Sequence, residues 1–230
     1  MKNEKLSCKN KPIIPRNILF VSPHPDDIEL FCGGALLHHD NLGDNITVLL
    51  MTKGDKGTRN PWLKGDKLAA LRAAEAQQRC QQLKNCHLVF AGFNDQEVTV
   101  NEDSIRLILD MLNSLKPDII YIPEWIHNIS IYKHEDHQNA GKLFLEATTL
   151  ASLATELRYY HSKDSNLFIK MSDLHYQQNN QAMKGYKSQN TLFTSLPTLA
   201  MLRHWYNRKR RCWGKANHTR YAEGFRSDRH

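Results

Sequence analysis

A histidine and two adjacent carboxylates occur within one short run near the amino terminus, Ser22-Pro23-His24-Pro25-Asp26-Asp27. The run follows the apolar residues 18–21 and precedes a second apolar stretch that begins at Ile28. It therefore lies where a predicted strand leads into a predicted helix, and open α/β sheets bind their ligands at that edge. These residue types predict a site for a metal ion or for proton transfer. The alternative is a helix N-cap, for which Asp is a favoured residue.

A second cluster, His134-Glu135-Asp136-His137, follows the fourth predicted strand at the same edge of the sheet. His134 and His137 are three residues apart, close to one helical turn, so both side chains can face one point. Two histidines and one carboxylate, with a fourth position open to water, form a recurring catalytic zinc site. Such an ion lowers the pKa of the water to about 7 and polarises a carbonyl group. Alone, the two histidines are typical of a protein surface, but together with His24 and Asp27 they favour a metal site.

Strand-like and helix-like segments alternate through the first two-thirds of the chain. The continuous apolar run 46–51 is typical of a strand that is buried on both faces. The predicted strands are 17–22, 46–51, 87–91 and 119–122, and the predicted helices are 28–42, 66–83 and 102–115. This order predicts an α/β fold with a Rossmann-like, mostly parallel sheet and helices on both faces. Beyond residue 150 the pattern predicts only a strand at 167–171 and a helix at 195–211.

The formal net charge of +7 is concentrated near the end of the sequence. Residues 203–230 hold nine Lys and Arg against two acidic residues, whereas residues 1–202 hold 22 of each. The basic run Arg208-Lys209-Arg210-Arg211 is either a solvated helix face or a contact for an anionic group such as phosphate, nucleic acid or a lipid headgroup. No motif that reads DNA or RNA accompanies it.

The five cysteines include no CxxC pair. This pattern predicts neither a disulfide framework nor a cysteine–zinc site, and it favours a reducing cytoplasm. Residues 1–16 are basic and polar and lack the apolar stretch of a signal peptide, and no apolar run has the length of a membrane span. We expect a basic extension at 1–16 followed by a single domain at 17–230.

Several further motifs follow one another in order between residues 18 and 225. The run 22–34 is similar to the signature AHPDDxExxxGG, and 134–137 is similar to HPDH. Residues 52–57 resemble a TxGExG loop, 72–75 an RxxE helix, 186–189 an HxSQ segment and 221–225 a YAEGF ending. On these motifs the chain resembles the PIG-L/LmbE-like family of zinc-dependent N-acetylglucosaminyl deacetylases. The resemblance implies an amide hydrolase that removes an acetyl group from an amino sugar or its conjugate.

The resemblance also implies the ligands of the metal and the general base. It makes His24, Asp27 and His137 the ligands of Zn²⁺, and the same ligands accept other divalent ions such as Fe²⁺. Asp26 corresponds to the base that takes a proton from the attacking water. The implied partner is an N-acetylated amino-sugar substrate, and the implied assembly is a homo-oligomer.

Four more residues receive roles by the same resemblance. His134 corresponds to the histidine that stabilises the oxyanion or protonates the departing amine, and Asp136 to the residue that orients it. Arg72 and Asp95 correspond to substrate-contacting positions. From the residues alone, Arg72 could instead form a surface ion pair with Glu75, and Asp95 could form an Asx turn.

The chain departs from the family pattern at two positions. Asp55 stands where the family has glutamate, and Glu135 stands where it has proline. Tyr159, Tyr160 and Tyr176 are equal candidates for the tyrosine that often assists the oxyanion in this family. Two alternative functions stay open: a related hydrolase of another acyl amine, such as an aminoglycoside intermediate or a thiol-sugar conjugate, and a non-catalytic sugar-binding module.

Overall fold

The computed structural model describes residues 14–58, 60–124, 134–190 and 197–228, with the backbone alone at 190 and 197–200. The strands are β1 (Asn17–Ser22), β2 (Asn45–Thr52), β3 (Cys86–Phe93), β4 (Ile119–Pro123), β5 (Glu156–Tyr160), β6 (Leu167–Met171) and β7 (Tyr221–Ser227). The helices are α1 (Asp27–Leu42), α2 (Asp66–Cys80), α3 (Glu102–Leu115), α4 (Glu135–Leu150), α5 (Asp173–Gly185), α6 (Lys187–Asn190) and α7 (Pro197–Ala216). Across these ranges, every helix is too short or too polar to cross a lipid bilayer.

All seven strands form one sheet in the order β3-β2-β1-β4-β5-β7-β6. The strands from β3 to β5 are parallel, and β7 runs antiparallel to both β5 and β6. Because β1 lies between β2 and β4, the direction of the connections reverses at β1, and such a switch point leaves a crevice beyond the carboxyl ends of the strands. The predicted α/β fold with a mostly parallel sheet is confirmed.

Helices cover both faces of the sheet, and the alternating side chains of β1 enter two separate cores. Ile18 and Phe20 pack in the core beneath α1, whereas Leu19 and Val21 pack in the core beneath α3 and α4. All four side chains are buried. This two-sided burial is why the strand is apolar throughout rather than alternating.

The elements predicted up to residue 122 are all present, and their bounds differ from the predicted ones by three residues or fewer. The predicted strand at 167–171 is β6, and the predicted helix at 195–211 corresponds to α7, which ends later, at Ala216. The prediction missed α4, β5, α5, α6 and β7. The proposed extension at 1–16 lies mostly outside the described residues.

The structure contains a disulfide that the cysteine spacing did not predict. Cys80, the last residue of α2, is joined to Cys86, the first residue of β3, and their Cα atoms are 5.5 Å apart. The tight turn between the helix and the strand brings the two residues to a separation that a disulfide can span. The cysteine pattern predicted no disulfide framework, and that prediction is wrong for Cys80 and Cys86.

Two glycines let other elements approach α1 closely. A Cβ atom at Gly33 would meet the Asn179 side chain of α5, and one at Gly34 would meet Met171 of β6. Asn179 uses its amide Nδ2 to donate to the backbone carbonyl of Glu29, at 2.9 Å. The paired glycines of the first motif thus serve packing around α1.

A buried histidine at the other end of α1 links three strands. The hydroxyl of Tyr121 accepts from Arg158 at 2.7 Å and lies 3.0 Å from His39 Nε2, while His39 Nδ1 lies 2.7 Å from Asp44. These contacts match a neutral imidazole that accepts from the tyrosine and donates to the carboxylate. Burial lowers the pKa of His39 to about 4, although Asp44 beside it opposes the shift.

We expect His39 to make the protein less stable in acid. Between pH 6.5 and about 4 the unfolded chain binds a proton at His39 that the folded chain does not, so the free energy of unfolding falls as the pH falls through this window. The loss attributable to this residue is about 3 kcal/mol by pH 4. Urea denaturation of wild type and His39→Gln at several pH values between 7 and 4 measures it. The variant should show the shallower pH dependence, and parallel curves would contradict the assignment.

Candidate active site

The first motif forms a tight turn at the carboxyl end of β1, held in place by the neighbouring strand. The backbone N–H and the hydroxyl of Thr52 both donate to the carbonyl of Pro23, at 3.1 and 3.0 Å. The Ser22 hydroxyl donates to the His24 carbonyl at 2.6 Å, and the His24 N–H donates to Asp27 Oδ2 at 2.8 Å. His24 and Asp27 are buried. The turn therefore fixes both side chains before any ligand binds.

His24, Asp27 and His137 bring their side-chain ligand atoms within 4.8 Å of one another. Asp27 Oδ2 lies 3.3 Å from His24 Nδ1 and 3.2 Å from His137 Nε2. Ligands at 2.0–2.1 Å from a tetrahedral Zn²⁺ are about 3.3 Å apart. All three residues are buried. His24 lies in the turn that precedes α1, Asp27 is the first residue of α1, and His137 lies in the first turn of α4. The donor set and its spacing thus fit a divalent metal ion.

A second group of potential ligands, His24, Asp95, His134 and Asp136, shares His24 with the first. His24 Nε2 lies 3.3 Å from Asp95 Oδ1 and 3.2 Å from Asp136 Oδ2, and His134 Nδ1 lies 3.7 Å from the same Asp136 oxygen. A histidine that binds a metal through one nitrogen typically donates to a carboxylate through the other. His24 Nδ1 faces Asp27 of the first group. Asp95 and Asp136 of the second group face Nε2 and therefore fit the role of orienting the ring.

The carboxylates around His24 control its charge. Burial by itself lowers the pKa of His24, but hydrogen bonds to Asp136, Asp27 and Asp95 raise it well above its ordinary value. Burial would raise the pKa of Asp27, yet His137 and His24 hold it well below its usual range. Three carboxylates that surround one imidazole favour a cation among them, and a divalent metal ion would satisfy that preference.

Asp26 has a backbone conformation that few side-chain-bearing residues adopt. Its φ is 103°, in the left-handed region, at the N-cap of α1, where its carbonyl accepts from the N–H of Leu30 at 3.0 Å. Strained residues of this kind concentrate at functional sites. Burial raises the pKa of Asp26 to about 7, against the opposing charge of Arg72, and a divalent cation nearby would favour its ionised form. The residue is held where a base could act.

Arg72 lies directly beneath this turn and is buried. It donates to the carbonyls of Gly54 and Pro25, and its Nη2 lies 3.3 Å from Asp26 Oδ1. The alternative of a surface ion pair with Glu75 is wrong, because Arg72 reaches the first motif instead. The RxxE motif indicated a functional role for Arg72, but its contact with Asp26 was not predicted.

Glu75, the other residue of the RxxE helix, accepts from the backbone N–H of Ser188 at 2.8 Å and from its hydroxyl at 2.6 Å. The HxSQ-like segment therefore closes on the RxxE-like helix. Both segments stood out in the sequence, but nothing in their spacing indicated that they meet.

Asp95 is buried and faces the cluster. Its Oδ2 accepts from the backbone N–H of Lys56 at 2.8 Å, and its Oδ1 faces His24. These contacts lower the pKa of Asp95 to about 2, against the effect of burial. The carboxylate joins the 52–57 loop to the histidine rather than closing an Asx turn, which was the alternative.

The three candidate tyrosines have other partners. Tyr160 donates to the carbonyl of Val21 at 3.0 Å. The guanidinium carbon of Arg226 lies 3.8 Å from the ring centroid of Tyr159, and Tyr176 stacks on Tyr221 with ring centroids 3.8 Å apart. Each residue thus contributes to packing around the sheet.

The four residues of the basic run in α7 have different surroundings. Arg210 is buried against Glu223 of β7, and Lys209 Nζ lies 4.3 Å from the ring centroid of Trp205. Arg208 and Arg211 are exposed. Because Arg210 is committed to an internal ion pair, only the other three residues of the run are left for a solvated helix face or for contact with an anionic group.

The match to known families agrees with this geometry. The family model described as GlcNAc-PI de-N-acetylase (PIG-L) matches residues 19–148, more than half of the chain. The chain belongs to the PIG-L family. The matched range includes every residue of the proposed metal cluster and its surrounding shell. The predicted family membership and enzyme class, an amide hydrolase, are both confirmed.

Similar proteins extend the match over most of the chain. The diacetylchitobiose deacetylase of Thermococcus kodakarensis is 26% identical over 92% of this chain and 82% of its own. In fold, the chain is similar to the N,N'-diacetylchitobiose deacetylase of Pyrococcus horikoshii, with a TM-score of 0.81 at 22% identity over 91% of this chain and 82% of that one. It is also similar to GalB, a 4-carboxy-2-hydroxymuconate hydratase of Pseudomonas putida, with a TM-score of 0.74 at 19% identity over 93% and 96% of the two chains. The same fold therefore carries more than one chemistry.

Proposed function

We propose that this protein is a metal-dependent deacetylase that hydrolyses the acetamide of an N-acetylglucosamine-type sugar or conjugate. The observation that carries the proposal is the buried cluster of His24, Asp27 and His137 with Asp26 beside it. Because a hydratase has the same fold, the fold alone does not identify the substrate. The diacetylchitobiose deacetylase relative favours an amino sugar.

We assign His24, Asp27 and His137 as the ligands of Zn²⁺, or of Fe²⁺ in its place. One shared carboxylate oxygen with two imidazole nitrogens at 3.2 and 3.3 Å supports this set. Asp136 and Asp95 are consistent with this ligand set, because both face Nε2 of His24, the nitrogen that does not face Asp27. When bound, the ion supplies a Lewis acid that polarises the acetamide carbonyl and acidifies water.

Asp26 accepts the proton of the attacking water while the water oxygen adds to the acetamide carbon. His134, oriented by Asp136, donates a hydrogen bond to the developing oxyanion. Burial and the neighbouring His24 lower the pKa of His134, which favours a neutral ring that can donate in this way. The amide nitrogen then receives the proton as the C–N bond breaks, and the products are acetate and a free amine.

Arg72 and Asp95 are proposed to contact the sugar as well as the protein. Both lie at the rim of the cluster, Arg72 against Asp26 and Asp95 against His24. We further propose one deacetylase domain at 17–230 after the extension at 1–16, a homo-oligomeric assembly, and a cytoplasmic location. The Cys80–Cys86 disulfide gives no support to a reducing compartment.

Acetate release from a panel of acylated amines tests this function. N,N'-Diacetylchitobiose, N-acetylglucosamine conjugates and N-acyl variants of longer chain are incubated with the purified holoenzyme, and acetate and primary amine are quantified together. We expect equal amounts of both products from an N-acetylated amino sugar. Release of a longer acyl group alone would favour the other acyl-amine hydrolase. Full metal content without any amide cleavage would refute the proposal.

A further inference from the structure

The strand β3 forms one edge of the sheet, and no strand of the described residues lies on its outer side. The carbonyl of Asn85, just before β3, accepts from the neighbouring strand β2 at 2.9 Å. Backbone groups point alternately to the two sides of a strand, so every second residue from Asn85 bonds to β2, and the groups of Cys86, Leu88 and Phe90 point outward. No described strand or loop backbone pairs with these outward groups. They form a template for another strand.

The strand lacks the features with which proteins usually prevent an edge from pairing, namely short length, charged side chains and proline. It has eight residues, and its sequence contains no Asp, Glu, Lys, Arg or Pro. By contrast β6, at the opposite edge, has five residues and an exposed lysine, Lys170. The one irregularity of β3 is a register shift beyond Phe90, which leaves residues 86–90 regular.

The side chains of β3 are apolar on both faces of the sheet but only half-buried. Val89 and Ala91 pack against the core beneath α3 and α4, whereas Cys86 packs against the core beneath α1. Leu88 and Phe90 lie on the same face as Cys86, because successive side chains alternate. All five residues are half-buried. A strand added to this edge would cover apolar surface on both faces.

The flank of α2 beside this edge is also uncharged. The disulfide between Cys80 and Cys86 marks the side of α2 that faces β3. The residues one and two turns earlier on or beside that side are Ala70, Ala73, Ala74 and Gln77. They are exposed, apart from the half-buried Ala73. Such side chains let a second subunit approach without burying a charge, and charged residues are depleted in the centre of subunit interfaces.

We propose that β3 pairs antiparallel with the β3 strand of a second copy of this chain, about a two-fold axis at Leu88. In this register Leu88 faces Leu88 of the partner subunit, and Cys86 faces Phe90 of the partner subunit. All three outward residues are then paired, with about six backbone hydrogen bonds between the copies. The pairing joins two seven-stranded sheets into one.

The symmetry of the contact favours a second copy over a different protein. An isologous interface must be complementary to itself, and an uncharged edge that is apolar on both faces meets this condition without any like-charge contact. A different partner chosen by charge would find no charged side chain on β3 to recognise. The inference does not depend on the proposed catalytic activity, so Asp26→Asn should form the same dimer as wild type.

Sedimentation velocity of the purified holoenzyme over a concentration series tests the interface, with Cys212→Ser in every sample to exclude a dimer through that exposed thiol. We expect a reversible equilibrium between monomer and dimer. Val89→Lys places two like charges near the axis and should raise the Kd of the dimer at least about a hundredfold. The matched control, Leu167→Lys, places the same charge on a half-buried apolar residue of β6 and should leave Kd unchanged.

Amide hydrogen exchange locates the contact. The N–H groups of Leu88 and Phe90 should exchange at least about tenfold more slowly in the dimer than in the monomer. If Val89→Lys fails to fold, His87→Lys decides instead, because His87 is exposed, and at least about a tenfold rise in Kd is expected. A monomer at every concentration would overturn the proposal. A dimer whose Kd is unchanged by the β3 variants, or whose outward amides exchange as in the monomer, would also overturn it.

Discussion

Asp26→Asn is expected to lower kcat for acetate release by about 10²- to 10⁴-fold, the usual contribution of a general base. Asparagine has the same shape as aspartate but cannot accept a proton at neutral pH. The proposed ligands His24, Asp27 and His137 are untouched, so the variant should bind metal at the wild-type stoichiometry. KM should change little, because the lost interaction is made while the water attacks.

The same variant should lose little stability, because Arg72 keeps the backbone carbonyls of Gly54 and Pro25 as acceptors when its ion pair with Asp26 is removed. Asp26 has a φ of 103°, and asparagine tolerates the left-handed region at least as well as aspartate. It also removes a carboxylate that is expensive to keep ionised in a buried site. Thermal unfolding and metal analysis therefore distinguish a lost base from a damaged fold. Activity within tenfold of wild type would contradict the role of Asp26, and loss of the metal would show that the residue does more than move a proton.

Glu223→Gln is expected to lower the free energy of unfolding by about 3–5 kcal/mol, the cost of breaking a buried ion pair from one side. Glu223 and Arg210 are both fully buried, and Arg210 Nε donates to Glu223 at 2.9 Å. Arg210 also donates to the backbone carbonyl of Leu30 at 2.9 Å, and the N–H of Ala35 donates to Glu223 at the same distance. The pair therefore attaches α7 and β7 to α1, the helix that begins at the proposed metal site.

An exposed ion pair in the same region provides the matched control. Arg220 and Asp173 are 3.1 Å apart, but their side chains are 70% and 57% exposed. Arg220→Gln should change the free energy of unfolding by less than about 1 kcal/mol. Urea denaturation of both variants measures the difference. Equal effects, or a change below about 1 kcal/mol for Glu223→Gln, would contradict the structural role given to the buried pair.

Strands β1, β2 and β4 were predictable because burial on both faces leaves a continuous apolar run that is visible without knowing the neighbouring strands. The edge strand β3 also shows an apolar run, although its residues are only half-buried or exposed. The strands β5 and β7 gave no such signal, since they carry Arg158, Glu223 and Arg226 within their spans. Glu223 and Arg226 pair with residues outside their own strand, Arg210 and Glu124. Arg158 pairs with Glu156 within β5 and also donates to Tyr121 of β4. The sequence pattern shows that a residue is charged but not which residue pairs with it, so neither β5 nor β7 was predicted.

The candidate site was predictable as a set of residues but not as an arrangement. Motif spacing brought His24, Asp27 and His137 together because parallel strands end at one edge. It could not tell which nitrogen of His24 faces which carboxylate, and it could not foresee the left-handed backbone of Asp26. The orientation of His24 depends on Asp95 and Asp136, which lie far away in the sequence, so no local pattern encodes it.

Metal-dependent acetate release is the measurement that tests the central claim most directly. The purified protein is stripped with a chelator, reloaded with increasing Zn²⁺, and assayed on the N-acetylated amino sugar that the panel identifies, with bound metal quantified in each sample. We expect activity to rise in proportion to bound metal and to level off at one ion per chain, with His137→Ala neither retaining the ion nor regaining activity. Full acetate release by metal-free protein, or by metal-free His137→Ala, would contradict the account.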